Sequence, residues 1–391
     1  MGESPTLGDV IRRFGASLRA RRGGALTPAG EAVLATLERC HTAALGGHVY
    51  RCDACGDERV AYHGCGNRHC PSCLGHKSAE WLEARAQDLL PVPYFHVVFT
   101  IPDEVGALAL GNKKEVYSIL YRAATETLLE IAADPKHLGA EIGFLAILHT
   151  WTQTLLHHPH IHCVVPGGGL APDGTRFIKS RERFLLPIRV LSRVYRGKFL
   201  AFLDEARREG RLQFAGATAP LSTPRGWSSF LRQQRSKEWV VYAKPPFGSP
   251  EQVLKYLARY THKVAIGNRR LLAVDDNGVR FTYRDRKKGV TRVMALSGEE
   301  FLRRFLLHVL PSGFVRIRYF GFLAHRGRRE KLARCRELLG ATPPPQATPP
   351  EPSSTEPQPK PCPVCGNGRL LWCRELDRGE EYRPVKGNDT S

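Results

Sequence analysis

Two closely spaced cysteine pairs constrain this chain more than any other feature. Cys52-x2-Cys55 and Cys70-x2-Cys73 are separated by 14 residues, and each pair can present two thiolates to a tetrahedral ion from one tight turn. Soft ligands in a closed, redox-inert site favour zinc. Binding by these four cysteines is the simplest arrangement, with Cys65, His63 and His69 in the same loop as alternative ligands or parts of a second site. A weaker echo, Cys362-x2-Cys365 with Cys373, supplies three thiolates in a polar tail, one short of a closed zinc site. The cysteine count is odd, 11 in 391 residues, and residues 1–24 are polar and Arg-rich without a hydrophobic signal core. Metal thiolates therefore fit better than disulfides.

Around this feature the chain has an ordinary globular composition, 42% hydrophobic and 9% aromatic, and a length that allows two or three domains. Its charge is not ordinary. Lys and Arg total 58 against 38 Asp and Glu, a formal +20, which suits a polyanionic partner and argues against a small neutral substrate. The basic residues spread over Arg12-Arg13, Arg19 to Arg22, Arg269-Arg270, Arg284 to Lys288 and Arg326 to Lys331, more like a long nucleic-acid track than one localisation tag. No apolar run approaches the roughly 20 residues needed to cross a bilayer, so no membrane partner and a cytoplasmic location are expected.

Strand and helix patterns alternate. Residues 30–88 begin as a helix, pass through the Cys/His-rich stretch and resume as a helix over Lys77 to Leu89. After Pro91 and Pro93, Tyr94 to Ile101 reads as a strand, Glu115 to Ala132 as a helix, and Ile142 to Thr150 and His158 to Val165 as strands, the second closed by Gly167-Gly168-Gly169. Leu191 to Glu209 is helical and Trp239 to Ala243 a short strand. A helix over Pro250 to Val264 is capped by Ser249. Asp276-Asn277-Gly278 signals a hairpin between Leu271 to Val274 and Val279 to Tyr283, with Thr291 to Ala295 as a third strand. An α+β fold follows. The Pro-rich run after Gly340 cannot build a core and should be an extended linker.

Two further clusters carry chemistry. On a strand, His158, His160 and His162 share one face while Ile161 points the other way, a natural half-site for a divalent ion. Gln153 could bring an amide oxygen as third ligand, with His158 or His149 as alternatives that the sequence does not separate. Tyr256 and Tyr260 stack at i and i+4 of a helix, bordered by an apolar stripe (Val253, Leu257, Val264) and a basic flank (Lys255, Arg259, Lys263). Hydroxyls so placed could meet a phosphate, and the metal half-site and basic flank are the other parts of a phosphoryl-transfer centre.

The chain resembles the two-tyrosine HUH transposases of the insertion sequence 91 family over most of its length. The resemblance rests on CGNRHCPSC (65–73), LHTWTQTLLHHPHIHCVVPGGG (148–169), YLARYTHKVAIGNRR (256–270) and HVLPSGFVRIRYFGFLA (308–324). It implies a small helical zinc-binding, DNA-binding domain (1–90) and an HUH catalytic domain (91–335) whose central antiparallel sheet is flanked by helices and bears His160 and His162. A Pro-rich linker (336–361) and a tail with a possible metal-binding cysteine cluster (362–391) follow. The implied function is a rolling-circle transposase that nicks and rejoins single-stranded DNA, at transposon ends and target, through a 5′-phosphotyrosine. Tyr256 and Tyr260 would be nucleophiles, with catalytic Mg²⁺ or Mn²⁺ on His160, His162 and Gln153. Structural Zn²⁺ would sit on Cys52, Cys55, Cys70 and Cys73, and DNA contacts would come from Lys255, Arg259, Lys263, Arg269 and Arg270. A replication initiator or relaxase, a non-catalytic zinc-dependent nucleic-acid-binding protein and a metal-dependent hydrolase are the alternatives.

Overall fold

The computed structural model describes residues 4–21, 26–247, 252–253, 265–285, 288–341 and 359–383, with backbone alone for 76–80 and 245–247. The helices are α1 (Leu7–Arg21), α2 (Pro28–Glu38), α3 (Leu74–Ala86), α4 (Asp103–Gly111), α5 (Lys113–Ala133), α6 (Ile188–Arg208), α7 (Pro224–Ser236), α8 (Gly298–Leu306) and α9 (Arg328–Leu338). The strands are β1 (Gly47–Cys52), β2 (Glu58–Tyr62), β3 (Tyr94–Thr100), β4 (Gly143–Trp151), β5 (His157–Pro166), β6 (Gly168–Leu170), β7 (Phe177–Lys179), β8 (Val241–Phe247), β9 (Leu271–Asp275), β10 (Gly278–Asp285), β11 (Val290–Leu296), β12 (Ile317–Gly321) and β13 (Leu370–Leu376).

The centre is a five-stranded sheet in the order β12-β4-β5-β3-β8, antiparallel throughout. Alternation along each strand sends its side chains to opposite faces. Phe144, Ala146 and Leu148 of β4 join Ile161, Cys163 and Val165 of β5 and Phe95, Val97 and Phe99 of β3 against α5 and α6, where Tyr117, Leu120, Tyr195 and Phe199 are fully buried. The other face packs Tyr94, Leu145, Ile147 and Val164 against Leu332 and Cys335 of α9 and against Val253. Both faces are covered, so β3 and β4 read as almost unbroken apolar runs.

A second core joins the N-terminal helices to residues far along the chain. Val10 and Ile11 of α1 and Leu34 and Leu37 of α2 pack with Leu271, Val279, Phe281, Phe301 and Phe305. The α1–α8 approach is close enough that a Cβ on Gly298 would lie 2.0 Å from the Phe14 ring. Local signals set the ends of these elements. Thr27 caps α2, accepting from Gly30 N with Pro28 in the first turn, and Ser297 caps α8, accepting from Glu300 N with Glu299 and Glu300 beside the positive helix end.

The α+β expectation holds, and most central elements fall within a few residues of their sequence assignments. The β9–β10–β11 sheet forms as its hairpin signal indicates, with Gly278 opposite Asp275 at φ 117°. The stretch 47–62 differs, because it forms an antiparallel pair, β1–β2, inside a region expected to be helices and loop. Gly47 and Val49 are buried in alternation, and the period breaks before the buried Cys52, as the pairing with β13 shifts register between Val49 and Tyr50. The helix expected over 250–264 lies outside the described residues apart from Gln252 and Val253.

Candidate metal centre and cysteine clusters

Because β5 is the middle strand, its histidines have neighbours on both sides. His160 faces His149 of β4 in register, and the ring nitrogens of His149, His160 and His162 lie within 4.8 Å of one another. Ile161 turns into the opposite core, as the strand period requires. The third imidazole is thus the cross-strand His149. Gln153, the expected ligand, sits exposed on the β4–β5 turn, and its backbone carbonyl accepts from Arg270. Strand pairing brings His149 opposite His160, whereas Gln153 lies past the end of the ladder.

Hydrogen bonds fix the rings. His160 Nδ1 is 2.6 Å from the His158 carbonyl oxygen, so it carries a proton and donates to that carbonyl. His162 Nδ1 lies 2.7 Å from Nε2 of His96, a buried residue of β3, and the two rings stack at 8°. Trp151 stacks on His149 at 4.6 Å. His158, the alternative ligand, is outside the group of three and lies 4.0 Å from Asp103.

The turn beneath the centre is held at three successive carbonyls. Arg270 donates to Gln153 O, Arg304 to Thr154 O and His308 to Leu155 O. Leu155 adopts φ 63°, a conformation that needs such support in a branched residue. His308 bridges Leu155 O and Thr150 Oγ1, and its burial pushes its pKa down to about 3. His157, 2.8 Å from the Tyr117 hydroxyl, is likewise lowered by burial to about 3.

Of the residues expected to bind DNA, Arg269 is exposed. Arg270 is committed within the protein, donating to Thr282 O and Gln153 O over the Phe281 ring, and burial lowers its pKa to about 10. Tyr256, Tyr260, Lys255, Arg259 and Lys263 lie outside the described residues. Val253, three residues before Tyr256, is fully buried in the core on the histidine-bearing face, and Ala265 and Ile266 re-enter the second core.

The expected single site of Cys52, Cys55, Cys70 and Cys73 is corrected, because the two pairs belong to different clusters. Cys70 and Cys73 join Cys40 and Cys65; Cys52 and Cys55 join Cys362 and Cys365. The β1–β2 turn carries the first pair away, while the turn before α3 packs the second against Cys40, beyond the end of α2. Sγ separations in the Cys40 cluster are 3.5, 3.5 and 3.8 Å. Four sulfurs about 2.3 Å from a tetrahedral zinc would stand about 3.8 Å apart, whereas a disulfide needs about 2.05 Å. His63 packs edge-on against His48. Both ring nitrogens of His69 are engaged, by Asn67 and by Leu310 N. Cys373 is exposed on β13. Sequence reasoning overlooked Cys40, which has no CxxC partner, and His96, a lone histidine in an apolar strand.

The fold and its sites define an α+β protein with cysteine clusters suited to structural zinc and a separate three-histidine centre on its main sheet. Residues 10–101 match the family model described as transposase zinc-binding domain, and residues 143–331 the model described as "Putative transposase". The chain is 50% identical to "Putative transposase y4qJ" of Sinorhizobium fredii (strain NBRC 101917 / NGR234), over 95% of this chain and 96% of that protein. It is 29% identical to the transposase for insertion sequence element IS801 of Pseudomonas savastanoi pv. phaseolicola, over 78% of this chain and 73% of that protein. No solved structure matches. The chain belongs to the insertion sequence 91 family of transposases. It is a transposase with DNA as substrate and a zinc-binding domain, and no helix among the described residues is long and apolar enough to cross a membrane.

Proposed function

We propose that this transposase nicks and rejoins single-stranded DNA, at transposon ends and target, through a 5′-phosphotyrosine on Tyr256 or Tyr260 during rolling-circle transposition. The observation that carries the reading is the convergence of His149, His160 and His162 on one face of the central sheet. Three imidazoles on two paired strands suit a divalent ion that keeps positions open for phosphate oxygens. Imidazole favours Mn²⁺ over Mg²⁺. An ion held there would polarise the scissile phosphate and offset the charge that builds up on it.

The chain's own groups do the rest. The His158 carbonyl accepts from His160 Nδ1 and so turns that ring's Nε2 toward ligand duty, and His96 Nε2 holds His162 at its Nδ1. A tyrosine oxygen attacks phosphorus in line; the bond from phosphorus to the 3′ oxygen breaks, the phenol gives up its proton, and the leaving 3′ oxygen takes one up. The phosphodiester energy is kept in the tyrosine ester, so rejoining needs no ATP. A second tyrosine lets two strands be held covalently at once. Val253, three residues before Tyr256 in the sequence, is buried on the histidine-bearing face of the sheet, and the +20 charge supports a track for the DNA backbone.

The test uses the full chain, single-stranded DNA carrying the element's own end, and Mn²⁺ or Mg²⁺. A denaturation-resistant adduct is expected, lost in Tyr256→Phe or Tyr260→Phe and in the His160→Ala/His162→Ala pair while DNA binding persists. DNA binding with no adduct on a verified substrate would move the assignment to a binding protein. Release of free 5′-phosphate without an adduct would move it to a hydrolase.

A further inference from the structure

We propose that Cys52, Cys55, Cys362 and Cys365 bind a second zinc ion, formed jointly by the two ends of the chain, that locks the C-terminal strand into the N-terminal zinc-binding region. The sulfurs come from far apart in sequence and meet within 4.8 Å of one another, with a close approach from each N-terminal cysteine to one in the tail. Cys52 Sγ lies 3.7 Å from Cys365 Sγ, and Cys55 Sγ 3.7 Å from Cys362 Sγ. These separations match a tetrahedral tetrathiolate and are far too long for disulfides.

The two halves have the same construction. Each is a CxxCG turn whose glycine N–H donates to the first cysteine's carbonyl, Gly56 to Cys52 and Gly366 to Cys362, both at 3.0 Å. Both glycines take positive φ, 74° and 71°, which glycine adopts at little cost. Backbone amides also point at sulfur: Cys55 N lies 3.5 Å from Cys52 Sγ, and Gly368 N 3.3 Å from Cys365 Sγ. Such donors favour the thiolate, the form that binds metal.

The surroundings are built to the same end. A Cβ on Gly368 would lie 2.3 Å from Cys52 Sγ, so this glycine admits the close approach of the two turns. Arg369 N donates to Asp53 Oδ1 and Asp53 N to Arg369 O. From there β13 pairs antiparallel along the whole of β1, Cys52 with Leu370 through to Gly47 with Leu376, and Tyr382 donates to Glu58 at 2.6 Å. The matched zinc-binding model ends at residue 101 and the transposase model at 331, so half of this site lies beyond both. Removing the tail therefore strips two ligands and one strand from the N-terminal region.

The experiment counts thiolate-bound metal in the full chain under reducing conditions. Titration of apoprotein with Co²⁺, read by sulfur-to-cobalt charge transfer, should saturate at two equivalents per chain; saturation at one would overturn the proposal, and this reading needs no variant to fold. By mass-spectrometric zinc content in a His160→Ala/His162→Ala background, Cys362→Ser/Cys365→Ser should lose one ion. Adding Cys52→Ser/Cys55→Ser should lose no more, and adding Cys40→Ser/Cys70→Ser should lose a second. Unchanged zinc in Cys362→Ser/Cys365→Ser, or loss of two ions when the Cys52 and Cys362 pairs are combined, would contradict a shared site.

Discussion

His96 Nε2 lies 2.7 Å from His162 Nδ1 across two neighbouring strands, with the rings stacked at 8°. The contact fixes the direction of the His162 ring, and with the shared proton on His162 Nδ1 its Nε2 becomes the better metal ligand. His96→Ala should therefore weaken Mn²⁺ binding at the three-histidine centre by about 10–100-fold, read by Mn²⁺ titration followed by electron paramagnetic resonance. Unchanged affinity in a folded variant would mean that His96 is only a packing residue.

The adjacent arginines should separate by role. Arg269 is exposed, so Arg269→Ala should weaken binding to single-stranded DNA and reduce the magnitude of the salt slope by roughly 1. Arg270 holds the β4–β5 turn through Gln153 O, so Arg270→Ala should lower thermal stability with the salt slope unchanged. Salt titrations and melting curves on both variants decide it; a reduced slope in Arg270→Ala would place that side chain on the DNA.

Acid should destabilise the fold through its buried histidines. Burial lowers His308 and His157 to about 3 and His69 to about 4, below the unfolded value of about 6.5. The stability tied to their neutral forms is complete above pH 6.5 and is lost as pH falls from there toward 4 and 3, because the unfolded state binds the extra protons. Each such group adds a slope of about 1.4 kcal/mol per pH unit within that window. Denaturant melts of His308→Asn should show a shallower pH dependence, by about one proton, than the parent chain. Identical slopes would mean that His308 does not stay neutral in the fold.

Gly298 separates α8 from α1, and its missing side chain makes room for the Phe14 ring. Gly298→Ala should destabilise the second core by about 1–3 kcal/mol through overpacking, seen as a lowered melting temperature, while Gly75→Ala, where a Cβ meets nothing within 4 Å, should not. An unchanged melting temperature for Gly298→Ala would show that the two helices yield without strain.

Four of the five strands of the main sheet, β3, β4, β5 and β8, were legible because their signals are local, whereas the edge strand β12 was not assigned. Alternation in β5 put His160 and His162 on one face and Ile161 on the other, and the Asp276-Asn277-Gly278 turn announced its hairpin. The ligand sets were harder, because they are decided by register and long-range pairing. His149 enters the centre through its pairing opposite His160, which no spacing rule in the sequence encodes. The cysteine pairs invited a single site by proximity, yet Cys40 and Cys65 complete one pair's cluster and the tail cysteines Cys362 and Cys365 complete the other's. Arg270 looked like its neighbour Arg269 in a basic run, and burial over Phe281 gave it a different task.

The most direct test of the central claim maps the covalent product. After reaction with single-stranded element-end DNA and Mn²⁺, nuclease trimming and peptide mass spectrometry should find a 5′-phosphonucleotide on Tyr256 or Tyr260, absent without metal and absent in the His160→Ala/His162→Ala variant. A nucleotide on any other residue, or an adduct that forms equally well without a divalent ion, would contradict the account.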